Sequence, residues 1–123
     1  MVQSTYYFII YSIYIDFSCS SKSFFNKNEV SKREILKFNL SNLSEENFDF
    51  VFYIAGVDIH YNDQLGKLKI TDEGIKMRDQ LVIDCFFSKR IPICGVLGGG
   101  YNKDIKKLIE LHSSLHQTCA KYL

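Results

Sequence analysis

The chain has 123 residues, of which 46% are hydrophobic and 24% are charged, and its formal net charge at pH 7 is +1. A chain of this length builds one small domain, and these proportions are those of an ordinary globular protein. The 15 basic and 14 acidic residues are mixed along the sequence rather than gathered in blocks. This distribution excludes the strongly basic surface with which proteins bind nucleic acids or anionic membranes.

The amino terminus contains the strongly apolar run TYYFIIYSIYIDF. It lacks the basic region and the cleavage site of a signal peptide, and it is shorter than the roughly 20 residues of a transmembrane helix. Its β-branched and aromatic residues favour a β-strand. The next segment, 18–28, is polar and is expected to be a loop. Residues 1–28 therefore stay unassigned, and the main domain is expected over residues 29–123.

Ser31 and Glu34 have the spacing of a capping box, and the apolar residues that follow predict a short amphipathic helix that reaches Leu43. The continuous apolar run FVFYIAGV, residues 50–57, is typical of a strand in a parallel sheet. After a loop, Thr71 is placed to cap a second helix, which is expected to end near Lys89 and Arg90.

The segment IPICGVL, residues 91–97, predicts the next strand, and GGGYNKD predicts a tight loop before the last helix. Apolar residues recur along that helix at helical spacing, at Ile105, Leu108, Leu115, Cys119 and Tyr122. Strand, helix, strand and helix of these lengths form a βαβα unit of a parallel sheet. With the strand and helix that precede it, the unit makes this an α/β protein.

Two unusual segments each follow a predicted strand: Asp58 follows the first, and Gly98, Gly99, Gly100 and Tyr101 follow the second. Because the carboxyl ends of parallel strands meet at one edge, where open α/β folds bind ligands, both segments are expected to face one site.

Asp58 has two interpretations: a carboxylate after a buried strand can ligate a metal or act as a base, or it can cap a turn. His60 lies two residues further on, so the two side chains share a face if the backbone is extended, and both could ligate one metal. The alternative for His60 is an ordinary surface histidine. Asp63 is expected to orient its loop through hydrogen bonds to backbone N–H groups.

The three glycines allow positive φ angles and close approach to a ligand, but their pattern is that of neither a dinucleotide-binding motif nor a P-loop. The Tyr101 phenol beside them could donate a hydrogen bond to a developing oxyanion, or it could pack on the last helix. His112 and His116, four residues apart, are expected to be ordinary residues of an amphipathic helix. The four widely spaced cysteines show no metal-binding pattern and no disulfide framework, which favours a reducing cytoplasm.

The segments AGVDIHYNDQLGKLKITDEGIKMRD and RIPICGVLGGGYNKDIKKLIELH together resemble the C-terminal part of the histone deacetylase family, in its bacterial-type or class IV-like branch. The resemblance covers roughly residues 48–116. Five elements occur in the family's order: A-G-x-D, D-x-L-G-x-L-x-[LIV]-T, G-[LIV]-x-x-R-D, I-P and G-G-G-Y. The resemblance implies the C-terminal part of an open parallel-sheet arginase/deacetylase-type fold.

In that family the aspartate of A-G-x-D is a zinc ligand, and the tyrosine after the glycines donates a hydrogen bond to the acetyl carbonyl. The resemblance therefore implies that Asp58 binds zinc and that Tyr101 is catalytic, with Asp63 and Gly66 in the supporting loop. The implied reaction is zinc-dependent hydrolysis of acetyl-lysine or a related acetylated amine.

The family's other zinc ligands lie in an upstream D-x-H segment, which a His-His pair precedes, and this sequence contains neither. The chain is therefore expected to be a remnant of a deacetylase that is inactive unless a missing N-terminal portion complements it. The alternative is a non-catalytic module whose open sheet edge pairs with a partner strand.

Overall fold

The computed structural model describes residues 7–11, 34, 37, 40–42 and 48–123 of the chain. Within them, three parallel strands form one sheet in the order β1, β2, β3, where β1 is Tyr7–Tyr11, β2 is Phe50–Ala55 and β3 is Ile93–Leu97. The strands pair continuously, from Tyr7 opposite Phe50 and from Val51 opposite Ile93. The predicted parallel sheet is confirmed, and five residues of the apolar amino-terminal run belong to it.

Two helices complete the βαβα unit. Helix α1 (Asp72–Phe87) connects β2 to β3, and helix α2 (Ile105–Cys119) follows β3 and continues into a 3-10 turn, Ala120–Tyr122. Of the helix predicted between Ser31 and Leu43, residues 34, 37 and 40–42 are described, and all are helical. Its remaining residues and the loop predicted over 18–28 lie outside the described residues.

Helix α1 begins where the capping signal predicts. The hydroxyl of Thr71 accepts a hydrogen bond from the N–H of Gly74, and two acidic residues occupy the first turn, where the helix dipole favours them. The helix ends at Phe87, earlier than expected, because Arg90 adopts a positive φ of 58° and the N–H of Ile91 turns back to the Phe86 carbonyl. A left-handed residue at this place stops the helix, as is common at helix ends.

The main hydrophobic core lies between the helices and one face of the sheet. Alternate residues of β2 point into it, and they meet residues of both helices, with Tyr53 and Phe86 completely buried. Burying a large apolar side chain of this kind contributes about 1.5–3 kcal/mol. Helix α2 approaches β3 closely because Gly95 has no side chain: a Cβ there would lie 3.0 Å from Leu115 Cδ1. Ile105, expected among the apolar positions of α2, is instead exposed in its first turn.

A second, smaller core lies under the loop that joins β2 to α1. It consists of buried aliphatic residues of the loop and both helices: Val57, Ile59, Leu68, Ile70, Ile75 and Leu111. The two ends of the loop pair with each other, since Tyr61 N–H donates to the Ile70 carbonyl and Ile70 N–H donates to the Ile59 carbonyl, both at 2.9 Å. This pairing and the apolar cluster hold the loop at the carboxyl edge of the sheet.

Candidate functional site

Asp58 lies directly after β2, and the glycine segment that follows β3 packs against it. The carbonyl oxygen of Gly99 accepts the N–H groups of Val57, at 2.6 Å, and of Asp58, at 3.1 Å. The Asp58 carboxylate is half-buried against this segment, because a Cβ built on Gly99 would lie only 2.7 Å from its Oδ2 atom. The two segments predicted to share one edge are therefore in direct contact.

The three glycines allow the segment after β3 to pack closely against other parts of the chain. A Cβ on Gly98 would lie 2.9 Å from the Cα and N atoms of Gly56, and one on Gly100 would lie 2.7 Å from side-chain atoms of Val57 and Leu108. No described glycine has a positive φ. The positive φ angles that the glycines allow are therefore not used here. Its lack of side chains is what allows the two strand ends to touch.

Asp63 is a buried carboxylate whose oxygens accept three backbone N–H groups. Oδ1 accepts those of Leu65 and Gly66, each at 2.8 Å, and Oδ2 accepts that of Tyr101 at 2.7 Å. Burial acts to raise the pKa of Asp63, but the hydrogen bonds from Gly66, Tyr101 and Leu65 outweigh it, and the pKa is lowered. The predicted hydrogen bonding within the loop is present, and it extends to Tyr101 across the site.

The side chain of Tyr101 is 50% exposed, although its backbone is held firmly. Besides the hydrogen bond from its N–H to Asp63, its carbonyl oxygen accepts the Gln64 side-chain amide at 2.6 Å. A fixed backbone with an exposed phenol is what a hydrogen-bond donor to a bound substrate requires. Gly66 allows the same loop to fold over Asp58, because a Cβ there would lie 1.4 Å from the Asp58 carbonyl oxygen.

His60 is completely buried, in contrast to an ordinary loop histidine at the surface. Its Nδ1 accepts the N–H of Asn62 at 3.3 Å, so Nε2 carries the proton and donates to Asp72 Oδ1 at 2.8 Å. Lys107 donates to the other oxygen of Asp72, and this hydrogen bond lowers the pKa of Asp72. Metal ligation by His60 would require it to break one of its two hydrogen bonds, and it stays a prediction.

A buried polar cluster lies next to the site, between β2 and α1. Arg78 donates to Gly56 O, two residues before Asp58, and to Asp79 Oδ1, which also accepts the Tyr53 hydroxyl at 2.6 Å. Burial raises the pKa of Tyr53 well above its usual value, so the phenol stays protonated and donates. The sequence contained a signal for this cluster, because Arg78 and Asp79 lie on the same face of α1 as the apolar residues Ile75 and Val82.

His112 lies under the glycine segment, which the sequence did not indicate. Its Nε2 atom would be 3.1 Å from a Cβ on Gly100, and its buried Nδ1 atom has no hydrogen-bond partner among the described residues. Burial lowers the pKa of His112, and the charge of Arg78 adds to this, while Asp58 acts in the opposite direction. His116 is exposed, so the two histidines differ in environment.

A catalytic zinc ion is usually held by three protein ligands and keeps one open position. Within residues 48–123 and the shorter described stretches, no three His, Cys, Asp or Glu side chains cluster in a way that could hold a metal. These residues alone therefore do not fit a zinc site, and Asp58 offers a single carboxylate.

The helices of the described part are too short or too polar to cross a membrane.

Comparison with known proteins identifies the family whose fold contains this sheet and the site at its carboxyl edge. Residues 30–116 match the histone deacetylase domain. This chain belongs to the histone deacetylase family. Its parallel sheet and helices are accordingly a partial α/β fold of the arginase/deacetylase type, as the resemblance in the sequence implied. The predicted site residues Asp58, Asp63, Gly66 and Tyr101 all lie within the matched region.

Two relatives show how much of the family fold the chain contains. It is 44% identical over 85 residues to an uncharacterized protein of Picosynechococcus sp., and 39% identical over 69 residues to histone deacetylase 2 of Arabidopsis thaliana. These alignments cover 68% and 54% of this chain, but only 28% and 18% of the relatives. The two relatives are thus much longer than the segment that each shares with this chain.

Proposed function

We propose that the chain provides one part of a zinc-dependent deacetylase site, with Asp58 as one zinc ligand and Tyr101 as the hydrogen-bond donor to the acyl oxygen of the substrate. The observation that carries the proposal is the junction of the two strand ends. Gly99 O binds the N–H of Asp58, and Asp63 binds the N–H of Tyr101, two residues along the same segment. A candidate ligand and a candidate donor are thereby fixed at one edge of the sheet.

The proposed role of Tyr101 is electrostatic. Its exposed phenol would donate a hydrogen bond to the carbonyl oxygen of an acetylated amine, such as acetyl-lysine, and more strongly to the oxyanion that forms on hydrolysis. A single preorganised donor of this kind contributes about 2.7–4 kcal/mol to the transition state, or about 10²–10³ in rate. The fixed backbone of Tyr101 favours such a contribution because little reorganisation is needed.

The proposal further holds that the chain alone does not hydrolyse acetylated amines. Asp58 would be one ligand of three, and the remaining ligands and the general base would come from a preceding portion of the fold. When bound, zinc would polarise the acyl carbonyl and activate water. Two findings support this division: among the described residues no three His, Cys, Asp or Glu side chains are grouped to hold a metal, and the chain spans a small share of the relatives.

A chimaeric enzyme tests the proposal directly. The matched segment of histone deacetylase 2 of Arabidopsis thaliana is replaced by the aligned segment of this chain, and zinc content and hydrolysis of an acetyl-lysine peptide are measured. We expect an active chimaera that loses zinc with Asp58→Ala and loses about 10²–10³ in kcat with Tyr101→Phe. Asp84→Asn, on the exposed side of α1, is the control that should retain activity.

The isolated chain is measured beside the chimaera. We expect neither stoichiometric zinc nor hydrolysis. One zinc per chain that is lost with Asp58→Ala, together with turnover, would contradict the proposed division of the site between two portions. An active chimaera that is indifferent to Asp58→Ala and Tyr101→Phe would contradict the assigned roles of both residues.

The second candidate is a non-catalytic module that binds an extended strand of another protein. It is favoured by the sheet face opposite the helices, where Phe52 and Val96 are 38% and 37% exposed, and by β3, an edge strand of the described sheet. A strand added to β3 would pair with the outer edge of the described sheet. A chimaera that folds but neither binds zinc nor hydrolyses the peptide would favour this candidate over the first.

A further inference from the structure

The backbone of Tyr101 is held on both of its polar groups by two consecutive residues of the other loop. Its N–H donates to Asp63 Oδ2 at 2.7 Å, and its carbonyl oxygen accepts the side-chain amide of Gln64 at 2.6 Å. These partners are 38 and 37 residues away in the sequence. The contact is therefore a specific bridge between the loop after β2 and the loop after β3.

The two residues of this bridge differ in burial. Asp63 is 6% exposed and its other oxygen is fixed by Leu65 and Gly66, whereas Gln64 is exposed. A buried carboxylate with three N–H donors has little freedom to move, because each lost hydrogen bond would leave a buried polar group without a partner. Because the Asp63 carboxylate is fixed within its own turn, its hydrogen bond also fixes the position of the Tyr101 backbone.

The phenol of Tyr101 has no comparable restraint from burial, since half of the side chain is exposed. The position of its hydroxyl group then depends on the backbone to which the side chain is attached. A misplacement of about 1 Å at a reacting centre can reduce a rate by about 10²-fold. Residues that fix this backbone are consequently as important for the donor as the phenol itself.

We propose that Asp63 and Gln64 act as a clamp that positions Tyr101 for catalysis through its backbone. The catalytic meaning of the clamp rests on the function proposed above, whereas the clamp as a physical device does not. Asp63 supplies the buried, fixed half, and Gln64 supplies an exposed half that closes over the carbonyl. Both are positioning residues, because neither is required to touch the substrate.

A merely structural role for Asp63 makes a different prediction. If Asp63 only stabilised the fold, its replacement would lower the free energy of unfolding and would accelerate hydrogen exchange throughout the core. If Asp63 also positions Tyr101, its replacement accelerates exchange at residues 98–103 by a larger factor than at the amides of β2 and α1. Local and global opening are separable by amide hydrogen exchange.

The test uses the ¹⁵N-labelled chain with Asp63→Asn, Gln64→Ala and the control Asp84→Asn, and it measures hydrogen exchange and ¹⁵N relaxation at Tyr101. We expect exchange of the Tyr101 amide to be about tenfold faster with Asp63→Asn, because the single oxygen of asparagine is left to the N–H groups of Leu65 and Gly66 and its NH2 group faces Tyr101. Gln64→Ala should accelerate exchange of the Tyr101 amide less than Asp63→Asn does, and it should lower the order parameter of Tyr101. Asp84→Asn should change neither the exchange rate nor the order parameter. An unchanged Tyr101 in Asp63→Asn, or equal acceleration of all amides, would overturn the clamp.

A measurement on the unsubstituted chain decides the matter if Asp63→Asn does not fold. Scalar coupling across the hydrogen bond, between the Tyr101 amide nitrogen and the Asp63 carboxylate carbon, supports the clamp when present and overturns it when absent. Neither readout involves zinc or turnover. Failure of the chimaera therefore counts against the proposed function, and failure of the Tyr101 readouts counts against the clamp.

Discussion

Two buried carboxylates, Asp63 and Asp79, are satisfied in opposite ways. Asp63 lies in the loop at the carboxyl edge of the sheet, and its hydrogen-bond partners are three backbone N–H groups. Asp79 lies in α1 and is 1% exposed; its Oδ1 binds the side chains of Tyr53 and Arg78, and its Oδ2 has no partner among the described residues. One carboxylate organises backbone, and the other joins side chains of a helix and a strand.

The difference shows two ways in which a buried carboxylate can hold separate parts of a chain together. Backbone N–H groups are present whatever side chains surround them, so Asp63 fixes the path of two loops and leaves the exposed residues around the site free to vary. The Asp79 cluster depends on the identity of each member. A substitution at either carboxylate should therefore have a distinct signature.

The largest effect is expected at the loop that Asp63 holds, where Gly66→Ala would bring a Cβ to 1.4 Å from the Asp58 carbonyl oxygen. Backbone atoms must then shift, and we expect a destabilisation above about 4 kcal/mol or failure to fold, a size reserved for severe disruptions. Urea unfolding of the two proteins measures this change in the free energy of unfolding. Gly74→Ala, in the first turn of α1, is the matched control and should stabilise the chain by up to about 1 kcal/mol. Equal stabilities for the two variants would contradict the close contact.

The next effect concerns the Asp79 cluster. Arg78→Leu leaves Asp79 buried without its cation, and breaking a buried pair in this way typically costs about 3–5 kcal/mol. Replacing Asp79 by Leu as well removes the stranded charge, so the double variant should be more stable than the sum of the two single variants predicts. A double-mutant cycle in urea measures this coupling. Additive effects would show that the two side chains do not act as a pair.

The smallest effect is the dependence of stability on acid. Because the pKa of Asp63 is lower in the folded chain than its unfolded value of about 3.9, its contribution is complete above that value and is lost as the pH falls below it. Asp63→Asn should be less stable by about 1–3 kcal/mol at neutral pH and should lose less stability between pH 5 and pH 3. Unfolding curves across this range test it, and parallel pH profiles would contradict the assignment.

Asp72→Asn gives a second, separate check of the acid profile. The hydrogen bond from Lys107 lowers the pKa of Asp72, so this group also stabilises the fold above its unfolded pKa and loses that contribution as the pH falls. The two substitutions together should flatten the profile more than either one alone.

The sequence predicted the arrangement of elements well because hydrophobic runs and capping residues report local structure. Thr71 caps α1 as expected, and the parallel strands bring Asp58 to the glycine segment. Interactions between distant residues were harder to predict. The hydrogen bond of Asp63 to Tyr101 and the burial of His60 against Asp72 depend on the final path of a loop, which no periodic pattern encodes.

Two differences between the sequence pattern and the structure have specific physical causes. The glycine run suggested conformational freedom, whereas the structure uses the absence of a Cβ to let Gly98 and Gly99 touch Gly56 and Asp58. Ile105 suggested a core position by spacing alone, but it lies in the first turn of α2, where the helix has not yet reached the packed layer. Helical spacing gives the direction of a side chain, and it does not say whether a neighbour is there to cover it.

The pairing between the ends of the loop after β2 has a consequence for variation among related proteins. At the base of this loop Tyr61 N–H donates to the Ile70 carbonyl and Ile70 N–H donates to the Ile59 carbonyl, so residues 62–69 form a loop that is closed at its base. Lengthening a closed loop carries a small entropic penalty, about 0.6 kcal/mol for each doubling. Insertions next to the exposed Lys67 can thus reshape the rim of the edge while Leu68 stays in the second core and β2, Asp58 and the start of α1 keep their places, which makes this position the natural point of divergence.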